Sequence, residues 1–235
     1  MVKKLDNVAL ITVNCDCPDE GIRALRYSKK NIDFGRTIIL SSKEYNLPDI
    51  EWIKTPHISS VNEYNDFMLW LISYVDFPYV LVVQSDGFVV NADMWDDEFL
   101  KYDYIGAPWP NDPRWIDDQS LEKRRTIKEC IKNNRVGNGG FSLRSKKFLE
   151  YANLFQNSMG WGEDIFLCSL CYDKAVEHNI RFAPLELAYK FSYENRCSEF
   201  GHDYREPYLF RPEEHFGFHH SNFINGQEIL NLKNG

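Results

Sequence analysis

Two adjacent carboxylates in this sequence are placed where they could act as a general base. Glu163 and Asp164 follow a glycine-flanked break at 160–162 and open a predicted helix. A helix N-terminus stabilises negative charge through its dipole and its free N–H groups, so the pair could simply serve the helix. A carboxylate in this position could also take a proton from a hydroxyl nucleophile. Both interpretations remain open from the residues alone.

A second candidate for chemistry is Asp86, which follows the most apolar strand-like run, residues 79–83. In open α/β sheets, ligands bind beyond the carboxyl ends of the strands. A carboxylate at that edge could hold a hard divalent cation with phosphate oxygens, or it could begin an ordinary turn. His219 could add a nitrogen ligand, for example to Mn²⁺. The alternative is that His215, His219 and His220 are ordinary core or surface histidines.

Glycines are concentrated near these residues. Five of the 13 glycines fall within 26 residues, and they flank Asn138 and the carboxylate pair. Glycine is required where φ is positive or where a ligand approaches the backbone closely. The pattern indicates either a ligand-binding backbone or two ordinary turns. The five are Gly137, Gly139, Gly140, Gly160 and Gly162.

The elements that must position these residues follow an α/β alternation. Short apolar runs without polar alternation are typical of parallel strands buried on both faces. The predicted strands span 8–13, 37–40, 50–53, 79–83 and 141–143, and the predicted helices span 20–30, 60–75, 121–134, 145–155 and 163–179. Residues 94–120, rich in proline and aromatic side chains, are predicted to form an active-site loop. The pattern predicts one α/β domain with a mostly parallel sheet flanked by helices.

The amino-acid composition limits the kinds of molecule that the protein is expected to bind. The 235 residues contain 27 Lys and Arg against 35 Asp and Glu, a net charge of −8, which argues against non-specific nucleic-acid binding. No run approaches the roughly 18 apolar residues that span a bilayer. No signal peptide is recognisable, so we expect a cytoplasmic protein without a transmembrane segment. The 15% of aromatic residues predicts a large core, a groove for flat ligands, or both.

Six cysteines are expected to be reduced in that compartment. Cys168 and Cys171 have the spacing of half a zinc site, but no second pair accompanies them. Cys15 and Cys17 have a poor spacing for zinc. We therefore favour core or incidental thiols over a metal or redox site.

Several motifs together resemble a known group of enzymes. Val-Gly-Asn-Gly-Gly-Phe-Ser-Leu-Arg at 136–144, followed by Trp-Gly-Glu-Asp at 161–164, resembles the galactosyltransferase group of GT-A glycosyltransferases. Gln-Ser-Asp at 84–86 stands where that group has Asp-x-Asp. A less characterised glycosyltransferase-like family is more similar still, through Gln-Ser-Asp-Gly, Tyr-Ile-Gly-Ala-Pro-Trp, Gly-Asn-Gly-Gly-Phe-Ser-Leu-Arg and Phe-Gly-Phe-His. The resemblance covers residues 8–220 approximately.

This resemblance implies a GT-A-like fold and a glycosyltransferase activity. The enzyme would move a sugar from a nucleoside-diphosphate sugar to a hydroxyl of a glycan or another saccharide, with inversion. Asp164 would be the base, and Glu163 beside it would hold an acceptor or donor hydroxyl. A divalent cation, Mn²⁺ or Mg²⁺, would bind Asp86, with His219 or the adjacent His220 completing the site.

The resemblance also implies that the two halves of the chain have different roles. Residues 1–90 would form the nucleotide-binding half, and residues 91–225 the acceptor and catalytic half. Trp109 and Trp161 would position the sugars. The residues implied to contact the donor are Thr12, Val13, Asn14, Gln84, Ser85, Asp86, Asn138, Gly139, Gly140 and Trp161.

Two alternatives to a transferase remain. Gln84 replaces the first Asp of Asp-x-Asp, which allows a non-catalytic protein that binds carbohydrate or nucleotide sugar on the same fold. A metal-dependent phosphoesterase is the second alternative, and it requires several clustered metal carboxylates. The binding protein would bind sugar without divalent ions and without release of diphosphate.

Overall fold

The centre of the fold is a six-stranded sheet. The computed structural model describes residues 2–13, 18–111, 119–195, 197–200 and 211–219. The strands are β1 (Lys3–Val13), β2 (Ile32–Ser41), β3 (Glu51–Lys54), β4 (Tyr79–Val82), β5 (Tyr104–Gly106) and β6 (Ser142–Ser145). Their order is β3-β2-β1-β4-β6-β5, and β6 runs antiparallel to the other five strands. A separate parallel pair joins β7 (Ser192–Tyr193) to β8 (Gly217–Phe218).

Helices cover both faces of the sheet. They are α1 (Pro18–Ser28), α2 (Val61–Leu69), α3 (Leu121–Cys130), α4 (Lys146–Ala152), α5 (Glu163–Ile165), a π-helical turn (Phe166–Leu170), α6 (Tyr172–Glu177) and α7 (Leu185–Phe191). Short 3₁₀ turns occur at Leu71–Ser73, Ala92–Met94, Asp97–Lys101, Ser198–Phe200 and Pro212–Glu214. Within the described ranges, no helix combines the length and the apolar character needed to cross a membrane.

The alternation of side chains along the central strands explains their continuous apolar sequence. Leu10 and Leu81 point into a core that α1 covers, whereas Ile11 and Val82 point into a core that α2 covers. All four are fully buried. Successive residues of a strand face opposite sides of the sheet, so a sheet covered on both sides needs apolar residues throughout. The predicted single α/β domain with a mostly parallel sheet is confirmed.

Tertiary pairing changes two predicted elements. Residues 94–120 were predicted to form a loop, but Tyr104–Gly106 is the edge strand β5, whose three residues are all buried and pair with β6. The predicted helix over 163–179 is interrupted, because the Cys171 N–H donates to the Phe166 carbonyl in a π-helical turn. Residues 104–106 lie in a segment rich in proline and aromatic residues that lacks strand periodicity, so β5 depends on its partner and not on local pattern.

The start of α2 resembles a capping box, in which a serine N-cap and a glutamate three residues later bind each other's backbone N–H groups. Ser60 accepts a hydrogen bond from the Glu63 N–H at 3.2 Å, as expected for an N-cap. The Glu63 carboxylate, however, accepts from the Ser59 N–H at 2.6 Å and not from that of Ser60. This cap fixes the first turn of α2. Tyr64 and Asn65, which follow it, lie at the carboxyl edge of the sheet.

Candidate functional site

A cleft of about 710 Å³ opens at the carboxyl edge of the parallel strands. Its walls come from the ends of β1 and β4, the loop before β6, the starts of α2 and α5, and the residue after β8. The lining residues are Thr12, Val13, Glu20, Ile58, Ser59, Ser60, Val61, Tyr64, Asn65, Gln84, Ser85, Asn138, Gly140, Gly162, Glu163, Asp164 and His219. Segments far apart in sequence therefore meet at one place.

Most of the predicted site residues lie in this cleft, and a few lie beside it. Asp86 and Gly139 do not line the cleft, but they contact the lining residues His219 and Asp164. Trp161 is half-buried under the Lys123 ammonium, 4.9 Å from the centre of its ring, and does not line the cleft. Asn14 and His220 lie outside the described residues.

Asp164 is held by two backbone groups. The Gly139 N–H donates to its Oδ2 at 3.0 Å, and the Ile165 N–H donates to its Oδ1 at 2.7 Å. Burial and then the negative charge of Glu163 raise the pKa of Asp164 from 3.8 to about 7, although the two N–H donors oppose the shift. A carboxylate with that pKa can exchange a proton with a ligand near neutral pH.

Glu163 is part of a buried ion pair. Its Oε1 accepts a hydrogen bond from Arg144 Nη2 at 2.8 Å, and the two residues are 5% and 1% exposed. Arg144 also donates to the carbonyl of Gly139 at 3.2 Å and to Ser142 Oγ at 3.0 Å. The predicted hydroxyl-binding residue is thus anchored from behind by a guanidinium while it lines the cleft.

The glycine-rich loop before β6 leaves no room for a side chain at two positions unless neighbouring side chains move. A Cβ on Gly139 would lie 2.4 Å from Glu163 Oε1, and a Cβ on Gly140 would lie 2.1 Å from His219 Nε2. The Tyr104 hydroxyl fixes the same loop from below, donating between the carbonyls of Gly137 at 2.8 Å and Asn138 at 2.9 Å. These glycines are needed for close approach, and none of them has a positive φ.

Three potential metal donors converge around His219. Its Nε2 lies 3.2 Å from Gln84 Oε1 and 3.7 Å from Asp86 Oδ1. Burial opposes a charge on the imidazole, but the hydrogen bond and charge of Glu194, with the charges of Asp86 and Asp164, raise the pKa of His219. One carboxylate oxygen, one amide oxygen and one imidazole nitrogen form a donor set that suits Mn²⁺ or Mg²⁺.

The cluster fits a divalent cation only if Gln84 is counted as a ligand. Among the residues that the structure describes, no three His, Cys, Asp or Glu side chains come close enough to share a metal ion. The phosphoesterase alternative requires several carboxylates clustered around a metal ion. The turn that presents Gln84 and Asp86 is tight, since Gln84 and Gly87 exchange backbone hydrogen bonds at 2.8 and 3.1 Å.

Glu194 belongs to the site but was missed by sequence reasoning. Its Oε1 accepts from Asn138 Nδ2 at 2.6 Å and lies 3.3 Å from His219 Nδ1. Its local sequence, Ser-Tyr-Glu-Asn, matches none of the motifs above. Only the pairing of β7 with β8 brings it to His219.

Two further residues of the cleft floor were also missed. Tyr64 accepts a hydrogen bond from Gln84 Nε2 at 2.8 Å, and Asn65 Oδ1 accepts weakly from the Glu163 N–H at 3.4 Å. Tyr64 has the helical spacing of a core residue, and Asn65 belongs to none of the motifs. Thr12, which was predicted, has a buried Oγ1 with no hydrogen-bond partner in the described part of the chain.

The prediction that Trp109 faces a sugar is wrong. Trp109 is 2% exposed, and its ring packs so closely on Gly137 that a Cβ there would lie 2.3 Å away. Tyr104, Phe141, Phe216 and Phe218, which the sequence also places near the site, are buried as well. The aromatic residues of these motifs therefore support the loop from the core side.

Cys168 is one of the cysteines that the structure places in the core. Cys168 is fully buried beside Phe148 and Phe166, as expected for a core thiol. Burial raises the pKa of Cys168 well above its ordinary value, so it is not poised as a thiolate. Cys15 and Cys17 lie outside the described residues.

The chain is similar to one protein family and to solved structures. A family model described as "Protein of unknown function (DUF5672)" matches residues 48–209. No curated protein matches the chain. Among solved structures, the mannosyltransferase PcManGT from Pyrobaculum calidifontis in complex with GDP-Man and Mn²⁺ is similar, with a TM-score of 0.45 and 9% identity. The similarity covers 77% of this chain and 55% of that one, so this chain spans about half the length of that protein.

Proposed function

We propose that this chain, which belongs to the DUF5672 family, is a glycosyltransferase that moves a sugar from a nucleoside-diphosphate sugar to a hydroxyl acceptor. The motifs that resemble GT-A glycosyltransferases support this proposal, because they converge on one cleft at the carboxyl edge of the sheet. The observation that carries it is the placement of Asp164, a half-buried carboxylate that lines that cleft and has a pKa of about 7.

Asp164 acts as the general base in this proposal. It accepts the proton of the acceptor hydroxyl, whose oxygen then bonds to the anomeric carbon while the bond from that carbon to the diphosphate breaks. Attack from the face opposite the diphosphate inverts the anomeric configuration. The N–H groups of Gly139 and Ile165 keep the carboxylate in one orientation during this step.

The remaining predicted residues bind and orient. Residues 1–90 hold the nucleotide, with the unpartnered Thr12 Oγ1 and Val13 at the end of β1 facing it. Residues 91–225 supply the base and the acceptor side, including Asn138 and the anchored Glu163. A divalent cation would neutralise charge on the leaving diphosphate, and Gln84, Asp86 and His219 would hold it. The saccharide acceptor and the cytoplasmic location remain predictions from the sequence.

A donor screen tests the proposal. The purified protein is incubated with UDP- and GDP-sugars, with and without Mn²⁺, and nucleoside diphosphate release is measured. We expect release from at least one donor. We also expect Asp164→Asn to lower it by about 100-fold or more without loss of donor binding. The exposed Asp173→Asn serves as the matched control and leaves the rate unchanged.

The binding-protein alternative gives a different result in the same screen. Its motivation is Gln84, which replaces a metal-ligating carboxylate. It predicts binding of a sugar or nucleotide sugar with no release of diphosphate and no dependence on divalent ions. Absence of binding to every donor would contradict the transferase and the binding of nucleotide sugars, and would leave only a protein that binds free carbohydrate.

A further inference from the structure

Glu194 and His219 occupy matching positions at the ends of two paired strands. In the ladder between β7 and β8, Ser192 pairs with Gly217 and Tyr193 pairs with Phe218. The next residue on each strand is Glu194 or His219, and the His219 N–H donates to the Tyr193 carbonyl at 2.8 Å. The ladder therefore sets the distance between the two side chains.

The ring of His219 is confined on the face opposite this ladder. A Cβ on Gly87 would lie 2.8 Å from His219 Cδ2, and a Cβ on Gly140 would lie 2.1 Å from Nε2. His219 is thus packed against two backbone segments that only glycine permits. Its Nδ1 faces Glu194, while its Nε2 faces Gln84 and Asp86.

The hydrogen-bonding roles follow from the chemistry of Glu194. An ionised carboxylate only accepts, so a hydrogen bond to its Oε1 requires a proton on Nδ1. Asn138 Nδ2 also donates to Glu194 Oε1, at 2.6 Å. Because both donors point at this one oxygen, Asn138 Nδ2 lies only 3.1 Å from His219 Nδ1. The Asn195 amide satisfies Glu194 Oε2 at 2.9 Å. Nε2 lies 3.2 Å from Gln84 Oε1, an amide oxygen that only accepts, so this contact needs a proton or a cation between the two atoms.

We propose that Glu194 is a positioning residue that holds His219 with Nδ1 protonated and Nε2 turned toward Gln84 and Asp86, and so completes a divalent-cation site. The inference rests on the proposed function, which needs such a cation. Carboxylates that accept from the far nitrogen of a metal-binding histidine fix its tautomer and ring orientation and increase its basicity. Glu194 is 11% exposed, so water competes little for this contact.

A second observation also points to a ligand at this place. Asn138 is 4% exposed and lines the cleft, and its Oδ1 has no hydrogen-bond partner among the residues described. Because Glu194 takes the amide donor, the carbonyl oxygen of Asn138 must face elsewhere. A buried acceptor without a partner is costly unless a ligand supplies the donor. A hydroxyl group of a bound nucleotide sugar would supply this hydrogen bond.

Mn²⁺ binding to the protein alone tests the role of Glu194. Electron paramagnetic resonance measures free Mn²⁺ during titration of the wild type, Glu194→Ala, Glu194→Gln and His219→Ala. We expect Glu194→Ala to weaken Mn²⁺ binding about 10- to 100-fold. Glu194→Gln, which keeps an acceptor without the charge, should lose less, and the exposed Glu186→Ala should bind like the wild type.

The outcomes separate this inference from the proposed function. Equal Mn²⁺ affinity of Glu194→Ala and the wild type would overturn the role of Glu194 even if sugar transfer is observed. Equal affinity of His219→Ala and the wild type, or no binding by the wild type, would overturn the site itself. Loss of Mn²⁺ in Glu194→Ala with no turnover of any donor would support the site and contradict the transferase. If Glu194→Ala does not fold, Glu194→Gln decides the question.

Discussion

Gly139 donates its backbone N–H to Oδ2 of Asp164 at 3.0 Å, which joins the glycine-rich loop before β6 to the first turn of α5. The carbonyl of the same glycine accepts from Arg144 Nη2 at 3.2 Å, and Arg144 binds Glu163. One peptide segment therefore contacts both the proposed base and the ion pair behind it. Disturbing either end of this connection should change the properties of Asp164.

A side chain at Gly139 should damage both activity and stability. In Gly139→Ala, the new methyl group would lie 2.4 Å from Glu163 Oε1 and 3.1 Å from Arg144 Nη2, so the ion pair must move. We expect a loss of about 1–3 kcal/mol in the free energy of unfolding, measured with urea. Gly160→Asn is the control for the backbone alone, because nothing lies within 4 Å of a Cβ there and Asn adopts its φ of +75° with less strain than most other residues, so we expect a smaller loss. Similar losses for both variants would contradict the packing argument.

The rate of sugar transfer should follow the ionisation of Asp164. Burial and the charge of Glu163 raise its pKa to about 7, and only the deprotonated form accepts a proton. We expect kcat/KM to fall about tenfold per pH unit below that pKa and to level off above it. A pH–rate profile with an acidic limb near pH 4, the ordinary range of an aspartate, would contradict this assignment.

The same carboxylate should make the protein less stable as pH rises. Its pKa is 3.8 in the reference state and about 7 in the fold, so between these values the folded state binds a proton that the unfolded state lacks. The resulting stabilisation is complete below pH 3.8 and is lost as pH rises through about 7. In Asp164→Asn this pH dependence should disappear from urea unfolding curves, whereas Asp173→Asn should retain it. An unchanged dependence in Asp164→Asn would show that another group is responsible.

Removal of Arg144 should be far more costly than removal of an exposed cation. Arg144→Met leaves the buried Glu163 without its partner, for an expected loss of about 3–5 kcal/mol. The double variant Arg144→Met/Glu163→Gln removes both charges, and we expect a coupling energy of about 1–3 kcal/mol from denaturation of the full cycle. For the exposed pair of Arg36 and Glu51, the same cycle should give less than about 1 kcal/mol. A coupling energy below about 1 kcal/mol between Arg144 and Glu163 would mean that the buried pair does not stabilise the fold as a unit.

The central strands could be predicted from the sequence because burial on both faces leaves a local signal. Leu10, Ile11, Leu81 and Val82 are all apolar since each of them meets a core on one side of the sheet or the other. Tyr104–Gly106 had no such signal, because a three-residue edge strand exists only through its pairing with β6. Trp109 was misassigned because an aromatic residue inside a site motif looks the same in sequence whether it faces a ligand or a glycine.

The candidate site could be predicted only in part, for a similar reason. Asp164, Asn138 and His219 lie in recognisable motifs, and the structure brings them to one cleft. Glu194 stands after a two-residue strand, and its importance depends on the pairing of β7 with a strand that begins 25 residues later. Tyr64 has the spacing of a core residue, and its hydroxyl contact with Gln84 appears only when α2 meets the end of β4.

Product analysis tests the central claim, base catalysis of sugar transfer by Asp164, most directly. With a donor from the screen and a saccharide acceptor, NMR spectroscopy follows the new glycosidic bond and its anomeric configuration in the wild type and in Asp164→Asn. The account predicts one glycosidic bond of inverted configuration for each diphosphate released. It also predicts transfer at least about 100-fold slower in Asp164→Asn with donor binding retained. Donor binding without any transfer, or an equal rate in Asp164→Asn, would contradict it.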